Sequence, residues 1–404
     1  MWRGIAIVRP LAHRDFRLLW TGQTISFFGN GVYQVALPFQ ILALHGSPLQ
    51  LALGFTISTA ASLLMLLFGG VIVDRISRRR VILISDLASG VVVAIVAGLG
   101  LAHRLGIEEI YVASLCFGIA SAFYLPAMSS ILPDLVPPEV LVAGNSIRGL
   151  SRQVNRVIAP LVGGVIVSTL GPPTAFAIDA VTFVASFAIF LLSAEPPAVT
   201  RLSRRIWEEL REGISYASSI PWIWITIWAF AAINFFLFAP ISVGLPLLVR
   251  DVLGGGASVF GLIVAAAGIG EISASLLIGQ FKVRRLGLFL YLVAATEGIA
   301  VVLIGVVPRL AVAMVANAVF AACVVAFGVH WDSALQRLIP RHLLGRVTSL
   351  DWFGAILLGP VAPLFAAFLA ERTGPLSIFI VCGAMGTILS LAGLGFRSIR
   401  QLRY

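Results

Sequence analysis

Gly69 to Val81 reads GGVIVDRISRRRV. Asp74 and four arginines, Arg75, Arg78, Arg79 and Arg80, stand within this stretch, with apolar sequence before Gly69 and again after Val81. A charged turn this short, between apolar runs of about 20 residues, is what joins two membrane-crossing helices. In lipid every backbone N–H and C=O must be satisfied internally, so only helices or closed barrels span. The runs here are continuous rather than alternating, which excludes a barrel.

Outward from this turn the pattern repeats. The 404 residues are 59% apolar and 11% charged, with a mean hydropathy of +1.02. Soluble domains carry about 25% charged residues, so a soluble enzyme, a nucleic-acid binder and a disordered scaffold are all excluded. The net charge of +10 comes from basic residues between apolar runs, which fits membrane topology rather than phosphate binding. About twelve runs begin near Phe16, Leu49, Val81, Ile110, Leu141 and Pro173, then Trp222, Ser258, Leu286, Leu310, Val347 and Leu376. The expected fold is all-α and membrane-integral, with twelve helices in two pseudo-symmetric six-helix halves. Residues 1–194 form one half and 222–404 the other. Residues 195–221 join them, with Ile206, Leu210, Ile214 and Ala217 at helical spacing on an amphipathic surface helix. The first run is too long for a signal-peptide core and no A-x-A follows it, so it is expected to be retained. Cys116, Cys323 and Cys382 lie in apolar runs with no metal-ligand or disulfide spacing.

The basic residues set the orientation. With the N-terminus inside, 21 of the 28 lysines and arginines fall on the cytoplasmic side and 4 on the other. Arg148, Arg152 and Arg156 lie in or beside the fifth run and complete the set. Both termini are therefore expected to be cytoplasmic in the plasma (inner) membrane, with the eight tryptophans as interfacial anchors on that side.

The halves are weak copies. Phe27-Phe28 and Leu37-Pro38 match Phe235-Phe236 and Leu245-Pro246, and Leu135–Ile147 matches Leu338–Leu350. Ala159-Pro160 matches Gly359-Pro360, and Gly171-Pro172 matches Gly374-Pro375. Parallel six-helix repeats point to a transporter with its substrate site between the halves.

Gly70, Asp74, Arg75, Arg78 and Arg79 fit G-x-x-x-D-R-x-x-R-R, and here the chain resembles the major facilitator superfamily. FYLPAMSSILPDLVP from Phe123, AFAIDAVTFVASF from Ala175 and GRVTSLDWFGAILLGP from Gly345 are similar to the macrolide-efflux and enterobactin-exporter branch. The resemblance implies a gating role for the loop, with Asp74 docking against the eleventh helix near Val347. It also implies that the first, fourth, seventh and tenth helices line a cavity. These offer Gln23, Asn30, Gln34, Tyr124, Asn234, Asn317 and His330, which are equally suited to interhelical hydrogen bonding. Pro160, Gly163 and Gly164 keep a degenerate form of the drug-antiporter fifth-helix pattern. With Gly359 and Pro360 they also suit close helix packing.

Arg148, Arg152 and Arg156 recur at four-residue spacing and share one helix face. They read either as one snorkelling arginine with two structural ion pairs or as an anion-attracting wall on the substrate path. Asp134, Glu139, Glu271 and Asp351 are the candidate counter-charges. Asp86 is expected to pair with Arg78–Arg80, and Asp351 to cap the eleventh helix. Glu271, Glu297 and Asp179 are the candidate proton-coupling acids; for the last two, structural hydrogen bonding is the rival role.

The functional expectation is a secondary transporter exporting amphipathic drug- or siderophore-like molecules by alternating access, coupled to protons. An importer or facilitator of the same fold remains open, as does a membrane-embedded enzyme or flippase. Hydrolase and Walker motifs are absent from the sequence. No cofactor, metal or nucleic acid is expected; the partners are the lipid bilayer, a small-molecule substrate and protons, with the chain a monomer.

Overall fold

The computed structural model describes residues 6–195, 206–280 and 283–403, without the side chains of residues 6, 66–75, 206–210 and 341–342. All regular structure among the described residues is helical. The first six spans are Arg14–Ala43, Pro48–Arg75, Arg78–Leu101, Ile107–Ser130, Leu141–Leu170 and Pro172–Leu191. A linker helix, Ile206–Ser219, precedes the seventh to twelfth spans. These are Pro221–Val252, Ala257–Leu277, Leu286–Val306, Leu310–Leu338, Leu343–Thr373 and Pro375–Gly393. Eleven helices among the described residues are long and apolar enough to cross a membrane. The first span falls short of that apolarity because Gln23, Asn30, Gln34 and Gln40 dilute it; with it the spans number twelve. The chain is a multi-pass membrane protein of twelve helices in two halves. Large side chains left bare, such as Val142 at 79% exposure and Leu276 at 70%, are what lipid-facing positions require.

Tertiary contacts gather the described residues into two units. The first comprises those of Met1–Gln50, Ile57–Leu202 and Gly256–Ala265, the second those of Leu51–Thr56, Ser203–Gly255 and Ala266–Tyr404. Within the first unit the first span packs on the fifth and sixth, and the third on the fourth and sixth. Within the second unit the seventh packs on the eleventh and twelfth, and the ninth on the tenth and twelfth. Each pairing recurs six spans later, so the sequence repeat is also a packing repeat. The Gly-Pro repeat shows this at the backbone. Gly171 and Gly374, opening the sixth and twelfth spans, hold φ of 83° and 88°, a region that favours glycine. The prolines that follow occupy the first helical turn, where a missing N–H costs nothing.

The Ala159-Pro160 and Gly359-Pro360 repeat diverges. Pro160 sits inside an unbroken helix, whereas Gly359 and Pro360 lie between Arg341–Leu357 and Ala362–Thr373 and interrupt the eleventh span. The seventh span widens into π-helix at Pro240–Gly244 and Leu248–Val252, flanking Pro246. On the linker helix Ala217 is buried, but Ile214 is 38% exposed. This helix packs on the eleventh span: a Cβ at Gly213 would stand 3.1 Å from Arg346 Cβ, and Arg346 pairs with Glu212.

Candidate functional site

Ser77 opens the third span as its N-cap, its hydroxyl accepting from Arg80 N–H at 3.3 Å. That turn aims three arginines at three different partners. Arg78 Nη1 lies 2.5 Å from Asp134 Oδ2, on the short helix Leu132–Leu135 after the fourth span. Arg79 donates to Ser193 Oγ at 3.0 Å and to the Leu191 carbonyl at 2.6 Å, at the end of the sixth span. Arg80 Nε lies 2.7 Å from Glu195 Oε1, and Ser77 Oγ donates to the same oxygen at 2.9 Å. The hydrogen bonds from Arg80, then from Ser77, hold the Glu195 carboxyl below its ordinary value. The side chains of Gly70, Asp74 and Arg75 lie outside the described residues, as does the expected docking of Asp74.

Asp86 is a correction. It does not pair with Arg78–Arg80, which already have the partners above. It is 2% exposed and accepts from Ser186 Oγ on the sixth span at 2.7 Å. Its position six to eight residues into the helix places it about 9–12 Å deeper than those arginines.

The fifth-span arginines separate into distinct environments. Arg148 is 6% exposed; its Nε donates to Gln23 Oε1 and one terminal nitrogen to the Met128 carbonyl, both at 2.9 Å. It is therefore held inside the first unit rather than snorkelling. Arg152 lies with its guanidinium carbon 5.3 Å from the centroid of the Phe27 ring, a cation–π contact in place of an expected ion pair. Arg156 is exposed. Between them, Trp20 Nε1 donates to Ser151 Oγ at 2.8 Å and Asn155 Nδ2 to the Thr24 carbonyl at 2.9 Å, fastening the fifth span to the first. A Cβ at Gly163 would stand 3.0 Å from Val32 Cα, and one at Gly164 2.8 Å from the Ala257 carbonyl. The Pro160 carbonyl abuts Gly261.

Asp179 is fully buried opposite Gly29, bonded by Thr182 Oγ1 at 3.3 Å, and its Oδ2 has no hydrogen-bond partner among the described residues. Glu297 is 5% exposed in the ninth span, and Glu271 is half-buried in the eighth. Asn30 is half-buried and Gln34 exposed. In the second unit Asn234 Nδ2 donates to the Ala355 carbonyl at 3.3 Å. Asn317 and His330 are buried, the imidazole edge-on to Phe289 with centroids 4.8 Å apart.

Asp351 is the second correction. Its helix starts at Arg341, so Asp351 stands in the interior and caps nothing; its Oδ2 accepts from Trp331 Nε1 at 2.9 Å. Trp331, 4% exposed, is thereby a buried packing residue rather than an interfacial anchor. Asp134, a proposed counter-charge for the fifth-span stripe, is engaged by Arg78 instead. Ser186 was not singled out by the sequence, Phe27 entered only through the Phe-Phe repeat and Glu195 only as the start of the linker; none of the three carries a local pattern that announces its partner. Among the described residues no three His, Cys, Asp or Glu side chains gather to hold a metal.

Twelve helices in paired halves, with polar side chains buried within each, define a transporter of the major facilitator type. Residues 5–392 match the family described as transmembrane secretion effector, and the chain belongs to that family. It is 25% identical over 401 residues to the enterobactin exporter EntS of Escherichia coli O139:H28 (strain E24377A / ETEC), covering 96% of this chain and 94% of the relative. The fold is also that of the nucleoside transporter NupG, at a TM-score of 0.74 and 11% identity, over 96% of this chain and 100% of that one. A bacterial homologue of the iron transporter ferroportin, in an inward-facing state, aligns at 0.73 and 16% identity over 94% and 98%. The chain is a transporter and not an enzyme.

Proposed function

We propose that this chain is a proton-coupled exporter of amphipathic small molecules, drug- or siderophore-like, working by alternating access as a monomer. The observation that carries the reading is full-length similarity to an enterobactin exporter. The expected halves, 1–194 and 222–404, move about the cytoplasmic 195–221 segment, with both termini on the cytoplasmic side of the plasma membrane. Gln23, Tyr124, Arg148 and Arg152 in the first unit, and Asn234, Asn317 and His330 in the second, contribute to the substrate path.

Coupling needs an acid whose charge biases the two states. Glu271, Glu297 and Asp179 are the candidates, with Glu271 first because the resemblance places the eighth span on the substrate path; it is half-buried, whereas Glu297 and Asp179 are buried. The test is deletion or overexpression followed by a broad toxicity and secreted-metabolite screen. Loss of the chain should raise the cellular content of at least one amphipathic compound. A deletion strain indistinguishable across the screen, with uptake of a nutrient impaired instead, would turn the reading to import.

A further inference from the structure

The first, fourth and fifth spans bring together buried hydrogen-bond donors in excess of acceptors. Arg148 commits Nε to Gln23 and one terminal nitrogen to the Met128 carbonyl, while a guanidinium has five N–H groups. Gln23, 3% exposed, spends its carbonyl on Arg148; its Nε2 is buried and has no hydrogen-bond partner among the described residues. The Tyr124 hydroxyl is buried and likewise lacks a partner among them, within electrostatic reach of Asp86, Arg148 and Arg152. Asp86, the carboxylate in that set, is bonded to Ser186 on the sixth span. One turn along the fifth span from Arg148, Arg152 adds a second cation, backed by the Phe27 ring. Buried donors in folded proteins are nearly always met by an acceptor, and one left over asks for an explanation. Here two unmet groups from different helices share the surroundings of a buried guanidinium, Gln23 in direct hydrogen bond with it and the Tyr124 hydroxyl within its electrostatic reach.

We propose that Gln23, Tyr124 and Arg148 form an acceptor-binding subsite that holds an anionic oxygen group of the cargo, a carboxylate or a phenolate, with Phe27 and Arg152 bordering it. The subsite rests on the reading of the chain as a small-molecule exporter and adds to it the sign of the cargo's charge at this point. A guanidinium with flanking neutral donors favours an anion and disfavours an ammonium group, because every hydrogen bond it can make is charge-assisted toward an acceptor.

Three fluorescent probes sharing one aromatic body test this: dansylglycine (anionic), dansylamide (neutral) and dansylcadaverine (cationic). Their binding is titrated on the purified full chain in lipid nanodiscs. Dansylglycine should bind tightest. Tyr124→Phe, which removes one oxygen, should weaken it about tenfold, the worth of one hydrogen bond to a charged group, and leave dansylcadaverine unchanged. Gln23→Glu, which sets a carboxylate beside Arg148, should abolish the preference for the anion. The two variants keep the test sound should Arg148→Gln fail to fold. Tightest binding of dansylcadaverine, no preference among the three, or an anion preference that survives both variants would each overturn the subsite. Efflux of the same probes separates the two readings: protonophore-sensitive export of the cation alone sinks the subsite and keeps the exporter, while export of none sinks the exporter.

Discussion

Replacing Arg78 or Asp134 by alanine cuts the tie between the start of the third span and the segment that follows the fourth. The two side chains are 18% and 20% exposed and meet at 2.5 Å. An exposed ion pair contributes about 0–1 kcal/mol, whereas breaking a buried one costs about 3–5 kcal/mol by stranding the remaining charge. At one-fifth exposure the stranded group recovers part of its hydration, so each single variant should lose about 1–3 kcal/mol, between those limits. The double variant strands nothing and should lose less than the sum, with a coupling energy of about 1–2 kcal/mol. The assay is reversible unfolding of the purified chain by sodium dodecyl sulfate in mixed micelles, run on wild type, both singles and the double. Strictly additive losses, or singles within about 0.5 kcal/mol of wild type, would refute the claim that this pair holds the loop.

Gly270→Val should fail to fold or lose at least about 1–3 kcal/mol, because a Cβ there would overlap the Ala318 backbone carbonyl, which cannot swing aside; a thermal stability equal to wild type would show the eighth and tenth spans to be less closely packed. The Arg80–Glu195 contact should be intact at neutral pH. Since the folded carboxyl titrates below its ordinary 4.5, its contribution is present above that value and fades as pH falls through the depressed one; the mobility of a spin label at Ala194 should therefore rise only in that acid range, and a rise near pH 7 would be incompatible. Glu271→Gln should abolish gradient-driven efflux while sparing substrate exchange, and full efflux would pass the coupling role to Glu297. Reporter fusions after Ser203 and Gly254 should read inside and outside respectively; reversed readings would invert the assigned faces.

The fold was legible because lipid permits so few answers. Twelve apolar runs, a basic residue bias and duplicated Gly-Pro pairs are all local patterns, and Gly171 and Gly374 carry theirs into matching φ angles. The site was legible in residue type but not in pairing. Asp86 is near Arg78–Arg80 in sequence, yet helical rise separates it in depth; Arg78 and Arg80 pair with carboxylates that follow the fourth and sixth spans, and Arg79 bonds Ser193 and the Leu191 carbonyl. The start of the eleventh helix was misplaced because Arg341, His342 and Arg346 mask it in hydropathy, while Pro340 at the N-cap marks it. Arg148 and Gln23 are 125 residues apart, and nothing in either neighbourhood announces the other.

The central claim, export driven by a proton gradient, is tested most directly in everted membrane vesicles energised so that the lumen is acidic. Vesicles carrying the chain should accumulate a dansyl probe against its gradient, and release it when a protonophore collapses the pH difference. Accumulation no greater than in vesicles lacking the chain, or accumulation that survives the protonophore, would contradict the account.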